Sequence, residues 1–441
     1  MAQVVEREKT ASGQSAHYTA EYRREAGQGP TQPRWLSQAR ESALAQFERL
    51  GFPTTRLEQW RFTSVMPIAE RRFVLAADGA AEAAATRVAP LSHPAAHAVC
   101  VNGRFARQLS SAATLPGVQI LGLEAAIAAN PAAIEPYLGK LSPTQTHAFV
   151  SLNTAFLRDG IVVFIAPGVV LEQPLELIFI AVAEGDATVS HPRLLIVAGE
   201  HSQATVLERY VGTGSALTNP VAEIWLGAHA VLDHYKLQEE PVDSFHTASM
   251  FVDCARNGNF SSHSLTFGGG LVRNDIMARL DGEGIDCTLN GLYVGRGKQL
   301  IDNHTTIDHA MPHCGSHEVY KGILSEQARA VFNGKIIVRP DAQKTDAKQT
   351  NKALLLSDEA NINTKPELEI FANDVKCTHG AAIGQLDEAA MFYLRSRGLS
   401  AADARAMLVH AFAGDILNRV KIAPVREYLE AILPARLPHV D

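Results

Sequence analysis

Apolar and polar positions change their rhythm twice along this chain. In "LSQARESALAQFERLGFP", Ala39, Ala43, Leu44, Phe47 and Leu50 recur at spacings of three and four, which predicts a helix that ends at Gly51 and Pro53. Short helical pieces are predicted from Leu123 to Tyr137 and near 144–156, with a hairpin around Asn102-Gly103 in "HAVCVNGRFAR". From about residue 159 the helical rhythm stops. Segments such as "RLLIVAG", "ATVLERYV", "CTLNGLYVG" and "AVFNGKIIVRP" follow one another, separated by Gly, Asn and Asp, with no crossover helices between them. That pattern leaves a sandwich, a barrel or a solenoid. The recurrence of "LNGLYV" at 289 and "FNGKIIV" at 332, with "YKGILS" between them, is what stacked solenoid coils give, with a large sandwich still open.

Helical spacing returns at Asp387. "DEAAMFYLRSRG" opens on acids and closes on Arg395, Arg397 and Gly398, and "SAADARAMLVHAFAGDILNRV" begins with a Ser400-x-x-Asp403 cap. Met407, Leu408, Ala411, Phe412 and Ile416 make an apolar stripe on that second helix, and a third is expected from Pro424 to Pro434. The organisation expected is a loose tail over 1–35, an N-terminal helical region over 36–158, a β core over 159–384 and a C-terminal helical domain over 385–441.

With 441 residues, 46% of them hydrophobic, there is material for one large core or several smaller ones. A net charge of −7 gives no pull toward nucleic acid or anionic membrane, and residues 385–441 balance seven acids against seven Lys and Arg. No apolar run approaches the ~20 residues that span a bilayer, and the N-terminal stretch has no secretory h-region. A cytoplasmic chain is expected. Its five cysteines, Cys100, Cys254, Cys287, Cys314 and Cys377, are then expected as scattered reduced thiols.

Two places carry candidate chemistry. In "FANDVKCTHGAAIG", strand alternation puts Val375, Cys377, His379, Ala381 and Ile383 on one face, with neighbours about 6.6 Å apart along the strand. One iron ion or cluster could reach both the thiol and the imidazole, though two ligands cannot close a tetrahedral centre. The alternative is a buried thiol beside a histidine that merely packs. In "DNHTTIDHAMPHCGSHEVYKG", His304, His309, His313, Cys314 and His317 look dense, but alternation sets His304 and His309 on opposite faces and Pro312 breaks the run, so a four-ligand site is not expected. No phosphate loop, dinucleotide fingerprint or nucleophile elbow occurs.

The stretches "AVFNGKIIV", "AQKTDAKQTNKALLLS", "TKPELEIFANDVKCTHGAAIG" and "FYLRSRG", with "RLLIVAGEHSQATVLERY" and "TTRLEQWRFTSV" upstream, resemble the SufB/SufD family of iron–sulfur cluster assembly scaffolds. Gly380, where B-type chains usually carry Glu, points to the D side of the family. The resemblance implies a mainly β protein: a right-handed parallel β-helix flanked by N-terminal and C-terminal α-helical domains. It further implies a non-catalytic subunit that pairs with a SufB-like paralogue through the β-helix, or with itself when isolated. A SufC-like ATPase that consumes the ATP would bind the C-terminal helices. Cys377 and His379 of the Cys-[Ser/Thr]-His-Gly motif become the candidate site for iron or a transient cluster shared with the partner; no role for a flavin is assigned. Two other readings stay open beside it, a purely architectural solenoid and a β-helix carbohydrate-active enzyme. Three Trp and 7% aromatics speak against the enzyme.

Overall fold

The computed structural model describes residues 16–24, 32–76, 88–111 and 114–436. Its centre is a parallel β-solenoid of about eight turns. Each turn contributes one strand to each of two sheets. The first sheet stacks Gly160–Ile165, Arg193–Ala198, Val221–Leu226, Phe245–Cys254, Leu271–Leu280, Leu300–His309, Arg329–Val338 and Asn361–Ile370. The second stacks Leu175–Val182, Gln203–Thr213, Val231–Gln238, Asn259–Thr266, Asp286–Gly295, Gly315–Leu324, Asp346–Leu355 and Lys376–Gly384. Register is in phase from coil to coil: Asp286 pairs with Gly315, Gly315 with Asp346 and Asp346 with Lys376. Each inner row is therefore a column of side chains that bury one another. Phe260, Cys287, Leu289, Ile301, Ile307 and Phe332 lie in one continuous core.

A ladder of left-handed backbone positions sets the corner between the sheets. His201, His229, Asn257, Gly284, His313 and Lys344 have φ between 54° and 73°. Each donates its N–H to a carbonyl of the next coil, from Ala228, Arg256, Glu283, Pro312, Gln343 and Asp374 respectively. Non-glycine residues rarely take this conformation; here the inter-coil hydrogen bonds hold it. Asn-Gly in the two near-repeats has another basis. Asn290-Gly291 and Asn333-Gly334 fall in opposite sheets, so they do not mark the coil period. A Cβ on Gly291 would stand 2.2 Å from the ring of Tyr320, and one on Gly334 would stand 2.1 Å from Nε2 of Gln349. Glycine at these positions makes room for a large inward side chain nearby.

The first turn is covered and the last is bare. Val118–Gly122 runs antiparallel to Gly160–Ile165, and Ala96–Val101 joins the second sheet before turning back at Asn102-Gly103 into Arg104–Phe105, the expected hairpin. Phe105, Leu115, Val118 and Ile120 fold over the open end of the core. The helix Arg34–Leu50 buries Leu36, Ala43, Leu44 and Phe47 and ends at Gly51. Residues 16–24 are helical too, with Tyr18 and Tyr22 buried against that helix and Phe156, so this part of the expected loose tail is packed. The rest of that tail up to residue 31, and 77–87 of the Ala-rich stretch, lie outside the described residues.

Two ionic anchors tie the N-terminal region to the solenoid. Fully buried Arg193 pairs with Glu223 at 2.8 Å and donates to Asn153 and Ser142, while Glu223 accepts from the backbone of Gly139, Leu141 and Ser142. Arg273 lies 3.9 Å over the Trp60 ring and pairs with Asp275 and Asp302. Thr63 donates to the same Asp302 at 2.6 Å.

At the other end, Ala401–Leu417 and Ala423–Arg436 lie on the outer face of the second sheet. There Val409, Ala413, Ile416, Leu417, Leu429 and Leu433 cover Leu207, Tyr235, Leu265 and Leu292. Ser400 caps the first of these helices by accepting from the N–H of Asp403. The packed face is rotated from the stripe expected: Met407 and Ala411 are exposed, and Val409 and Ala413 are buried. Apolar residues surround this helix on every side, so spacing alone does not choose the face. Among the described residues no helix is long and apolar enough to cross a membrane.

Candidate functional site

Among the described residues, Lys376–Gly384 is the last strand of the second sheet and pairs on one side only, with Asp346–Leu355. Its alternation is the one expected. Cys377 stacks on Ala347, His379 on Gln349, Ala381 on Asn351 and Ile383 on Ala353, all in inward columns. No coil follows, so these inward side chains face an open end. Cys377 is half-buried against Ala347, Ile336, Val338 and Ala372. His379 is exposed. Nearby Ile370, Phe371 and Ile383 are exposed apolar residues, at 40%, 59% and 47%, on a coil whose outer edge is unpaired. Unpaired strand edges of this kind accept another strand readily.

Burial pushes the Cys377 thiol up, with Asp346 adding to it and the Ala347 backbone hydrogen bond working against it. In the isolated chain it is a protonated thiol at neutral pH. Binding to a metal would deprotonate it. The other four cysteines are interior residues: Cys100, Cys254, Cys287 and Cys314 are all buried, and burial raises each thiol.

The histidine-rich stretch does not converge. His304 points outward and pairs with Asp302 at 3.0 Å, and His309 points inward to the hydroxyl of Ser316 at 2.9 Å. His313 holds a rung of the turn ladder, and Cys314 donates to the carbonyl of Gly282. Among the described residues no group of three or more His, Cys, Asp or Glu side chains is placed to hold a metal ion. Among the described residues, Cys377 and His379 are thus at most a partial ligand set.

Reading the sequence missed the polar interior. Glu208 accepts from His234 and Tyr210, and Lys236 donates to Asn274 at 2.7 Å, all buried inside the solenoid. Burial lowers the Lys236 ammonium to about 8, against the pull of Glu208 and Glu240. Further along, Gln349 donates to Glu318 at 2.7 Å, in the column that ends at His379. No local signal marks these residues, because a charged residue in a strand ordinarily reads as outward-facing.

The sequence that builds this solenoid and its flanking helices matches a known group of assembly proteins. The family described as SUF system FeS cluster assembly, SufBD core domain, matches residues 179–412, and the SufBD protein N-terminal region matches 14–177. The chain is 34% identical to an iron–sulfur cluster assembly SufBD family protein of Synechocystis, covering 91% of each chain. It is 31% identical to the iron–sulfur cluster assembly protein SufD of Escherichia coli, over 90% of this chain and 92% of that one. It is 25% identical to SufD of Bacillus subtilis, over 66% and 67%. The chain belongs to the SufBD family of iron–sulfur cluster assembly proteins.

Proposed function

We propose that this chain is the D-type, non-catalytic scaffold subunit of a SufBCD-type complex in the cytoplasm. It pairs with a SufB-like paralogue through the bare last coil and binds a SufC-like ATPase through its C-terminal helices. At the shared edge it offers Cys377 and His379 to iron or to a nascent cluster, which is the cargo of the complex. One observation carries this reading: a thiol and an imidazole share the inward face of a terminal strand whose other side is unpaired. Two ligands leave a tetrahedral centre half made, and the position where the rest must enter is where a second solenoid would dock.

Exposed Phe392, Tyr393 and Met407, at 74%, 56% and 50%, support a second contact on the C-terminal helices. The sequence has no phosphate loop, so ATP would be consumed by the partner alone. The test is reconstitution with SufB-like and SufC-like partners, followed by iron and sulfide analysis. Wild-type complex should retain iron. Complex carrying Cys377→Val with His379→Ala should assemble and lose it. Equal iron in both would leave the pair as packing, and the solenoid as architecture only.

A further inference from the structure

The column that ends at His379 runs back through Gln349, Glu318, Leu289, Ser262 and His234. Gln349 is 2% exposed, and its Nε2 donates to Oε2 of Glu318 at 2.7 Å. Its other terminal atom, Oε1, is buried and meets no donor among the described residues. The amide is locked by its surroundings, since Gly334 on the opposite wall leaves the space it fills and even one added methyl there would collide with it. A buried carbonyl oxygen without a donor is costly. The neighbour of Gln349 in the terminal coil is His379, one strand spacing away, about 4.8 Å.

We propose that Gln349 is a positioning residue for His379: when the exposed imidazole turns toward it, Oε1 gains the donor it lacks here and accepts the N–H of that nitrogen, leaving the lone pair of the other nitrogen directed out of the open coil. The inference rests on the reading of His379 as a ligand. It adds which nitrogen binds and why. Glu318 accepts from the amide, so the amide NH2 must face inward and its oxygen outward. The relay carboxylate–amide–imidazole fixes one tautomer and makes the free nitrogen a better donor to iron, as hydrogen bonds behind metal-bound imidazoles do. A terminal coil would otherwise leave this imidazole free to rotate.

The test uses the full chain with 15N-labelled histidine and long-range 15N–1H correlation, the His379 signals being assigned by their loss in His379→Ala. Wild type should show one protonated and one bare nitrogen, with widely separated shifts. In Gln349→Met, of similar length but without an acceptor, the two shifts should move toward each other as the tautomers mix. Unchanged shifts in Gln349→Met, with a wild-type melting temperature, would overturn the proposal whatever the iron content. A second measurement separates it from the functional reading. Iron retained by the reconstituted complex should fall severalfold in Gln349→Met. If the shifts respond but His379→Ala complex still retains iron, the ligand role is overturned and the hydrogen bond stands without it.

Discussion

Burial favours the protonated form of both Cys377 and Glu318. Cys377→Ala should cost roughly 1 kcal/mol, since the side chain is half-buried and the cavity small, and Cys377→Val should recover the melting temperature. Cluster formation in the reconstituted complex should fail in both variants; recovery in Cys377→Val would make the thiol packing. Burial raises Glu318 to about 7, partly offset by the hydrogen bond from Gln349. A carboxyl raised in the folded state stabilises fully below its unfolded value and loses that contribution as pH rises through the folded one. Between pH 5 and pH 8, Glu318→Gln should therefore gain stability relative to wild type, on the order of a few kcal/mol by the higher pH. The comparison must be variant against wild type at each pH. Buried His263 and His309, both lowered to about 4, make the fold weaken toward acid on their own account. A gap that stays constant across this range would show Glu318 to titrate in the folded state as it does in the unfolded one, ionised throughout. At this scale the sequence was partly legible. Alternation is local, so it put Cys377 and His379 on one face; Gln349 and Glu318 lie in other coils, and nothing local sets the register that brings them into line.

The C-terminal helices do two jobs on different faces. Val409, Ala413, Ile416 and Leu417 are covered by the second sheet, and the helix Glu388–Ser396 buries none of its residues. Removing 385–441 would therefore bare Leu207, Tyr235 and Leu292 and confuse docking with unfolding. Point substitutions separate the two. Phe392→Asp with Tyr393→Asp should abolish pull-down of the SufC-like ATPase and leave the melting temperature within about 0.5 kcal/mol equivalent of wild type. Val409→Asp should instead lower the melting temperature by burying a charge. Retained ATPase binding by the double variant would place the contact elsewhere. The Ser400 cap was readable here, since Ser400 accepts from the N–H of Asp403 as its sequence context foretold. The packed face was not, because an apolar helix offers several.

Across the whole molecule, Arg193 and Glu223 bind the N-terminal region to the solenoid in a site closed to water. Arg193→Met should cost roughly 3 kcal/mol or more by leaving the carboxylate buried without its cation, and Arg193→Met with Glu223→Gln should recover part of it. Urea unfolding measures both; an unchanged midpoint in the single variant would mean the pair is dispensable. The solenoid could be anticipated from a long run of strands without crossover helices. Its coil length could not, since each coil varies and the Asn-Gly recurrence followed side-chain space. The two ends of the stack bear on how it assembles. Phe105, Leu115, Val118 and Ile120 seal one, and Cys377 and His379 stand at the other, which is open. Joining two such rods by their open ends would cover the bare coil of each, and the opposite end of each core is already capped, so growth would stop at the pair.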